Sequence, residues 1–375
     1  MNPAILLGAT GFGLIAVCYG FARFAFGLFL PAISADFELS STLAGIVSAG
    51  SFLGFCLAIA IAAWLTERVG PRFVAVTAGV AAAAGMLGIA SATSSPWLAA
   101  SVILAGSSTG FASPALAAAV ASMLAPSSRD TTNTFINAGT SAGVALSGPV
   151  AALMGAEWRL AYAGFAGATI LMVGATLKVL SGATPARPAG QAPLLPALTP
   201  DLKRLIAAAA LSGAASTVVW SFGADLLAAN LDWDSRQVGL LWTIMGCVGV
   251  AGAGAGWLIA RVGIRRVHLV FHLGLAAAVV AVGLDGAAPA LVYAGGGLFG
   301  ASYLMLTGVY LVWGIAALPA RPATAVTLAF LALAVGQTLG SIAFGFVAER
   351  VPVNVAVLAF AALALVAGVV RRRSA

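Results

Sequence analysis

The chain has 375 residues, of which 61% are hydrophobic and only 8% charged, with a mean hydropathy of +1.06. That balance excludes an ordinary soluble domain or a disordered chain and places the protein in lipid. The net charge of +7 calls for no nucleic-acid partner, because a positive-inside membrane topology accounts for the basic residues.

Crossing about 30 Å of hydrocarbon takes roughly 20 apolar residues at 1.5 Å per residue. Stretches of that kind fall near 4–30, 42–64, 73–93, 97–124, 131–154, 158–181, 204–229, 236–260, 266–284, 289–318, 322–347 and 352–370. They predict an all-α membrane protein of twelve transmembrane helices.

The first segment lacks a basic n-region and a small-residue cleavage site, so it reads as a membrane helix and not a signal peptide. Within it, Tyr19-Gly-Phe-Ala-Arg23-Phe-Ala-Phe-Gly27 places a charge inside the membrane, at a cost of about 2.5–3.5 kcal/mol on insertion scales. Arg23 lies eight residues before Pro31, about 12 Å along the axis, too far to snorkel to the outer surface. A water-filled cavity holding an anionic substrate is the functional expectation, and a structural pair with a carboxylate or helix carbonyls the bland one.

The second segment closes on Trp64-Leu-Thr-Glu-Arg-Val-Gly-Pro-Arg72, and the eighth on Trp257-Leu-Ile-Ala-Arg-Val-Gly-Ile-Arg265. Both Trp64 to Trp257 and Arg72 to Arg265 span 193 residues, about half the chain, which signals internal duplication. Segment five carries Gly139-Thr-Ser-Ala-Gly143-Val-Ala-Leu-Ser-Gly148-Pro149. Segment eight carries Gly246, Gly249, Gly252, Gly254 and Gly256, and segment eleven Gly336, Gly340 and Gly345. Small residues of this kind let helices approach and slide, or simply pack tightly. The Pro-, Gly- and Ala-rich run from Ser181 to Pro196 reads as a linker. The chain therefore divides into an N-terminal six-helix bundle, 1–181, a linker, 182–203, and a C-terminal six-helix bundle, 204–375.

Of the 18 basic residues, Arg159, Arg236 and Arg350 fall on one side and Arg23 within a span, so the other 18 − 4 = 14 share the opposite side. By the positive-inside rule that side is cytoplasmic, together with both termini and the linker. Asp225, in Trp220-Ser-Phe-Gly-Ala-Asp225, is the carboxylate placed inside a span. It is a candidate proton carrier or an interfacial residue, and facing Arg23 across a cavity it would form a breakable ion pair. His268 and His272, one turn apart near the cytoplasmic end of segment nine, read as polar residues at a helix end; no ligand beside them argues for a metal. Cys18, Cys56 and Cys247 show no ligand spacing and read as packing residues. No Ser/His/Asp, paired-carboxylate or metal constellation argues for an enzyme, and no cofactor is expected.

The loop Ala63-Trp64-Leu65-Thr66-Glu67-Arg68-Val69-Gly70-Pro71-Arg72 resembles the signature between helices two and three of the major facilitator superfamily (MFS), Gly-x-Leu-x-Asp-Arg-x-Gly-Arg-Arg. The resemblance extends over essentially the whole length. Ala63 replaces the Gly, Glu67 stands for the Asp and Pro71 replaces a basic residue; the second copy has Ala260 at the acidic position. The resemblance implies two six-helix bundles related by pseudo-two-fold symmetry and a conformational latch at Glu67, Arg68 and Arg72, weaker at Arg261 and Arg265. Ordinary positive-inside anchoring is the alternative for all five. Segment five partly resembles the Gly-Pro motif of family antiporters. Val102 stands where segment four of the family carries an intramembrane Arg, so that residue's coupling role has no counterpart. The Arg-Phe pair of the first helix is similar to that of a subset of bacterial members. Tyr19, Asn137, Trp220, Tyr303, Tyr310, Trp313 and Gln337 lie on helices that line the cavity in this family.

These readings converge on a monomeric, proton-coupled inner-membrane carrier that moves a small organic anion by alternating access. A proton-coupled drug or metabolite efflux antiporter is the alternative within transport. A non-transporting receptor or scaffold is the alternative outside it, and no appended soluble domain supports it.

Overall fold

The computed structural model describes residues 3–183 and 198–372, so most of the predicted linker lies outside the described residues. The chain is helical because lipid offers no partner for backbone N–H and C=O groups, and a helix satisfies them within one segment. Thirteen helices result among the described residues. In chain order they are α1 (Pro3–Phe37), α2 (Ser41–Val69), α3 (Pro71–Ala90), α4 (Ser95–Met123), α5 (Pro126–Met154) and α6 (Trp158–Val179). Then follow α7 (Pro200–Trp220), α8 (Gly223–Leu231), α9 (Ser235–Val262), α10 (Ile264–Gly283), α11 (Pro289–Ala317), α12 (Pro322–Ala348) and α13 (Val353–Val369).

Ten of these are long and apolar enough to cross a membrane. Apolar α13 is shorter, at 17 residues. At 29 residues α5 is long, but it opens on Ser127, Ser128, Arg129 and Asp130. Pro71, Pro126, Pro200 and Pro289 stand at helix starts, where a missing N–H costs nothing. The start of α9 is closed by a capping box, Asp234 accepting from the Gln237 amide while the Gln237 side chain accepts from the Asp234 amide.

Each predicted segment lies on helix, with three differences. The first does not stop before Pro31 but runs to Phe37, carrying the proline inside the helix. The seventh, predicted as one span, is broken at Ser221 and Phe222 into α7 and the nine-residue α8. Gly27 of α1 lies at this break so closely that a Cβ there would meet the Trp220 carbonyl oxygen, and Ser221 Oγ receives a hydrogen bond from Ser341 Oγ at 3.0 Å. The eighth is α-helical to Gly249, tightens to a 3₁₀ turn over Val250–Gly254 and resumes as α-helix over Ala255–Val262. Gly254 and Gly256 face open space there, while Gly252 lies against Leu304.

Helix starts recur along the chain. Pro3, Ser41, Pro71, Ser95, Pro126 and Trp158 pair with Pro200, Ser235, Ile264, Pro289, Pro322 and Val353, at separations between 264 − 71 = 193 and 200 − 3 = 197 residues. The two repeated loops also share a conformation. Gly70 has φ 88° and ψ 157°, and Gly263 φ 86° and ψ 145°, a region open in practice only to glycine.

By contacts the chain forms two compact units, with borders inside helices after residues 25, 49 and 144. Among the described residues one comprises 3–25, 50–144 and 157–183, the other 26–49, 145–156 and 198–372. In the first, α3 packs on α4 and α6 around buried Trp158, Tyr162, Leu7 and Leu14. Gly139 and Gly143 of α5 press on the Phe12 and Ala16 carbonyls of α1. In the second, α7 packs on α12 and α10 on α11 around Trp242, Trp313, Tyr310, Phe222, Phe299 and Phe344. Gly148 and Gly239 oppose each other there, each against the other's carbonyl. Leu153, Leu171 and Leu339 stand exposed at 82%, 76% and 63%, a surface that suits lipid and not water.

Candidate functional site

In the first unit, residues 16–24 of α1 wind as a π-helix, a departure from α geometry that concentrates at functional sites. Arg23 sits at its end, 5% exposed. Its guanidinium carbon lies 4.7 Å from the Phe55 ring centroid, 5.1 Å from Phe52, 5.2 Å from Phe24 and 5.8 Å from Tyr19. Ring faces offer a buried cation an attraction of about 2 kcal/mol or more when desolvated. Tyr19 is held in turn: its hydroxyl lies 2.9 Å from Ser113 Oγ and donates to the Thr109 carbonyl at 3.5 Å. Asn137 is exposed, and its amide donates to the Asn133 carbonyl at 2.9 Å. Phe52 and Phe55 were invisible as candidates because nothing distinguishes them from other apolar residues of α2.

In the second unit three of the expected residues come together. Trp220 meets Phe299 and Tyr303 edge to face, at 5.1 and 5.4 Å, and Phe299 stacks on Tyr303 at 5.9 Å. Buried Gln337 donates to the Tyr303 hydroxyl at 3.0 Å and to Ser216 Oγ at 3.4 Å. Asp225 is half-buried in the first turn of α8, where the helix dipole favours a carboxylate.

Tyr310 joins a different group. Its hydroxyl lies 2.5 Å from Ser212 Oγ and 3.1 Å from His272 Nε2, and donates to the Ala208 carbonyl at 3.1 Å. The two histidines, expected as polar residues at a helix end, are buried at 3% and 0% exposure. They do not point out of the helix end but occupy the face of α10 that packs on α7, α11 and α13. Trp313 donates to Asp201 Oδ2 at 3.2 Å.

In the repeated loops Arg68 lies 4.4 Å over Trp64 and Arg261 4.4 Å over Trp257, the same stacking in both copies. Glu67, Arg72 and Arg265 are exposed. A further polar contact lies at the start of α2. Glu349, just beyond α12, accepts from the Thr42 backbone N–H and from Thr42 Oγ1, both at 2.7 Å. These bonds, aided by Ser40 and Arg350, hold its carboxyl down at about 2. Beside it Gly345 lies on the Ser41 carbonyl and Gly45 on the Ser341 carbonyl. Thr42 and Glu349 are 307 residues apart, and no local pattern joins them.

Long apolar helices in a duplicated chain, with polar and aromatic groups gathered inside them, define a multi-pass membrane transporter and not an enzyme. The model of the Major Facilitator Superfamily matches residues 12–313, and the chain belongs to that family. A variant of the nucleoside transporter NupG superimposes with a TM-score of 0.83 at 15% identity, covering 98% of each chain. The xylose transporter XylE from E. coli, in a partially occluded inward-open conformation, gives 0.75 at 13% identity, again over 98% of each chain. A bacterial homologue of the human lysosomal transporter Spinster gives 0.73 at 15%, covering 99% of this chain and 95% of that one. No curated protein sequence matches the chain.

Proposed function

We propose that this transporter is a secondary active carrier of a small organic anion, driven by the proton gradient and working by alternating access. Its twelve spans form two six-helix halves, 1–181 and 204–375, related by pseudo-two-fold symmetry and joined by the linker 182–203. The observation that carries the reading is Arg23, a cation buried among four rings at the end of a π-helical stretch. A carboxylate-bearing substrate would supply the counter-charge such a group favours. Tyr19 from the first half, and Trp220, Tyr303 and Gln337 from the second, would complete the contacts, with Asn137 and Tyr310 further out. Asp225 would carry the coupling proton. Glu67, Arg68, Arg72, Arg261 and Arg265 would latch the loops of the two halves in one conformation.

The fourteen basic residues sharing one side support a bacterial inner-membrane location with both termini in the cytoplasm. The carrier would work as a monomer. The Trp220, Phe299 and Tyr303 cluster favours one second reading, proton-coupled efflux of apolar ring compounds.

The test is electrogenic transport by purified protein in proteoliposomes under an imposed pH gradient. Small carboxylates and lipophilic cations are presented in turn, to the wild type and to Arg23→Gln. Carboxylate currents that vanish in the variant support the anion reading. Cation currents that survive it replace that reading with efflux.

A further inference from the structure

We propose that Ser212, His272 and Tyr310 form a binding site for one proton inside the second unit, entered past His268. The hydrogens of this cluster can be counted. His272 Nδ1 lies 2.7 Å from the His268 carbonyl oxygen, which can only accept, so Nδ1 carries the hydrogen and Nε2 of the neutral ring is a bare acceptor. Around Nε2 stand Ser212 Oγ at 2.7 Å and Tyr310 OH at 3.1 Å. The two hydroxyls are 2.5 Å from each other, and lie 2.8 and 3.1 Å from the Ala208 carbonyl. Five short contacts thus share the hydrogens of two hydroxyls. A proton added to the Nε2 lone pair supplies the third: Nε2–H donates to Ser212 Oγ, Ser212 to Tyr310, and Tyr310 to the Ala208 carbonyl. The Ser212 hydroxyl turns its single hydrogen toward Tyr310, giving up its earlier acceptor, and no covalent bond other than the new N–H forms or breaks.

The route to the site is also drawn in side chains. The His268 ring lies 4.2 Å from that of His272 and 5.5 Å from Trp313. His268 Nε2 is buried with no hydrogen-bond partner. The ring borders a cavity of about 10 Å³ lined by Ile264, Arg265, Trp313, Arg371 and Arg372, a volume of about one water. This mouth belongs to the basic end of the bundle, which is cytoplasmic on the topology proposed above.

The titratable groups on the packed elements are few. Besides Ser212, α7 offers Lys203, Arg204 and Asp201, the last 3.7 Å from Arg372. Helix α11 offers Tyr303, Tyr310 and, at its far end against Trp233, Tyr293; α10 offers Arg265 and Arg266. From Val353 to Val369, α13 carries none. Asp225 of α8 belongs to the far end of α10, since Gly223 lies against Val282, ten residues or about 15 Å from His272. The close ring contact admits one charge and not two, so the pair takes up a single proton. As a coupling element the site rests on the proton-driven reading; as a proton site it stands on this geometry alone.

The chain contains two histidines, and both belong to this cluster, so histidine-labelled protein reports on nothing else. Magnetic resonance of full-length protein in lipid nanodiscs, labelled at histidine with ¹³C and ¹⁵N, is followed from about pH 4 to about pH 9 without substrate. One ring should acquire a second N–H while the other remains neutral. Ser212→Ala removes the acceptor of the new N–H and should lower proton affinity about tenfold or more. His268→Gln should leave one titrating ring, which assigns it to His272. Two silent rings, or titration that disappears with His268→Gln in a folded protein, overturns the proposal. A titrating His272 in a carrier that ignores the pH gradient keeps the site and removes the coupling reading.

Discussion

Replacing Gly27 by alanine is the most direct test of how α1 meets the break between α7 and α8. In a helix, alanine is favoured over glycine by about 0.5–1 kcal/mol, because less backbone freedom is lost on folding. At Gly27 that gain is opposed by steric overlap. The new Cβ would meet the Trp220 carbonyl oxygen, with the Ser221 Cα at 3.2 Å, and backbone cannot swing aside as a flexible side chain can. Forced displacement of packed elements costs about 1–3 kcal/mol, so Gly27→Ala should be destabilised by up to about 2 kcal/mol net. Gly164 of α6 provides the control, since nothing lies within 4 Å of its Cβ direction, and Gly164→Ala should gain the full propensity term. Thermal unfolding of purified protein, followed by the loss of monodisperse material with temperature, reads both. Equal stability of the two variants would refute the close approach of α1 to Trp220.

Three further outcomes are expected. Gly70→Ala and Gly263→Ala should each lose about 1–3 kcal/mol, by similar amounts, because the two residues share nearly the same φ and ψ; melts of the two variants that differ widely would deny that the loops are structural copies. The Glu349 carboxyl is held below its ordinary value, so its contribution is complete above the unfolded value near 4.5 and is lost as pH falls toward about 2. The wild type should therefore melt progressively earlier as the pH is lowered from 5 to 3, an acid loss that Glu349→Gln should show to a smaller degree. Gln337→Leu strips the Tyr303 hydroxyl of its donor, a cost of about 1–3 kcal/mol for a buried polar group. Substrate flux should fall further than the melting profile predicts, and flux that tracks stability alone would remove Gln337 from the site.

The membrane class is legible in linear order, because length and apolarity of a segment are properties of the segment alone. So is the duplication, because the 193-residue spacing from Trp64 to Trp257 is a linear fact, and the equal glycine angles at Gly70 and Gly263 are its three-dimensional counterpart. Tertiary structure alone decided which apolar residues face protein. In water a buried face stands out against a polar one, but in lipid both faces of a helix are apolar and the contrast that periodicity reads is missing. Phe52 and Phe55 therefore carried no mark of their place around Arg23, and His268 and His272 passed for a helix end although α7, α11 and α13 enclose them. The break after Trp220 was equally hidden, since it lies where Gly27 brings another backbone against that carbonyl. Thr42 met Glu349 for the same reason: which backbones can touch is set by where glycines from distant segments coincide, and only the folded chain brings them together.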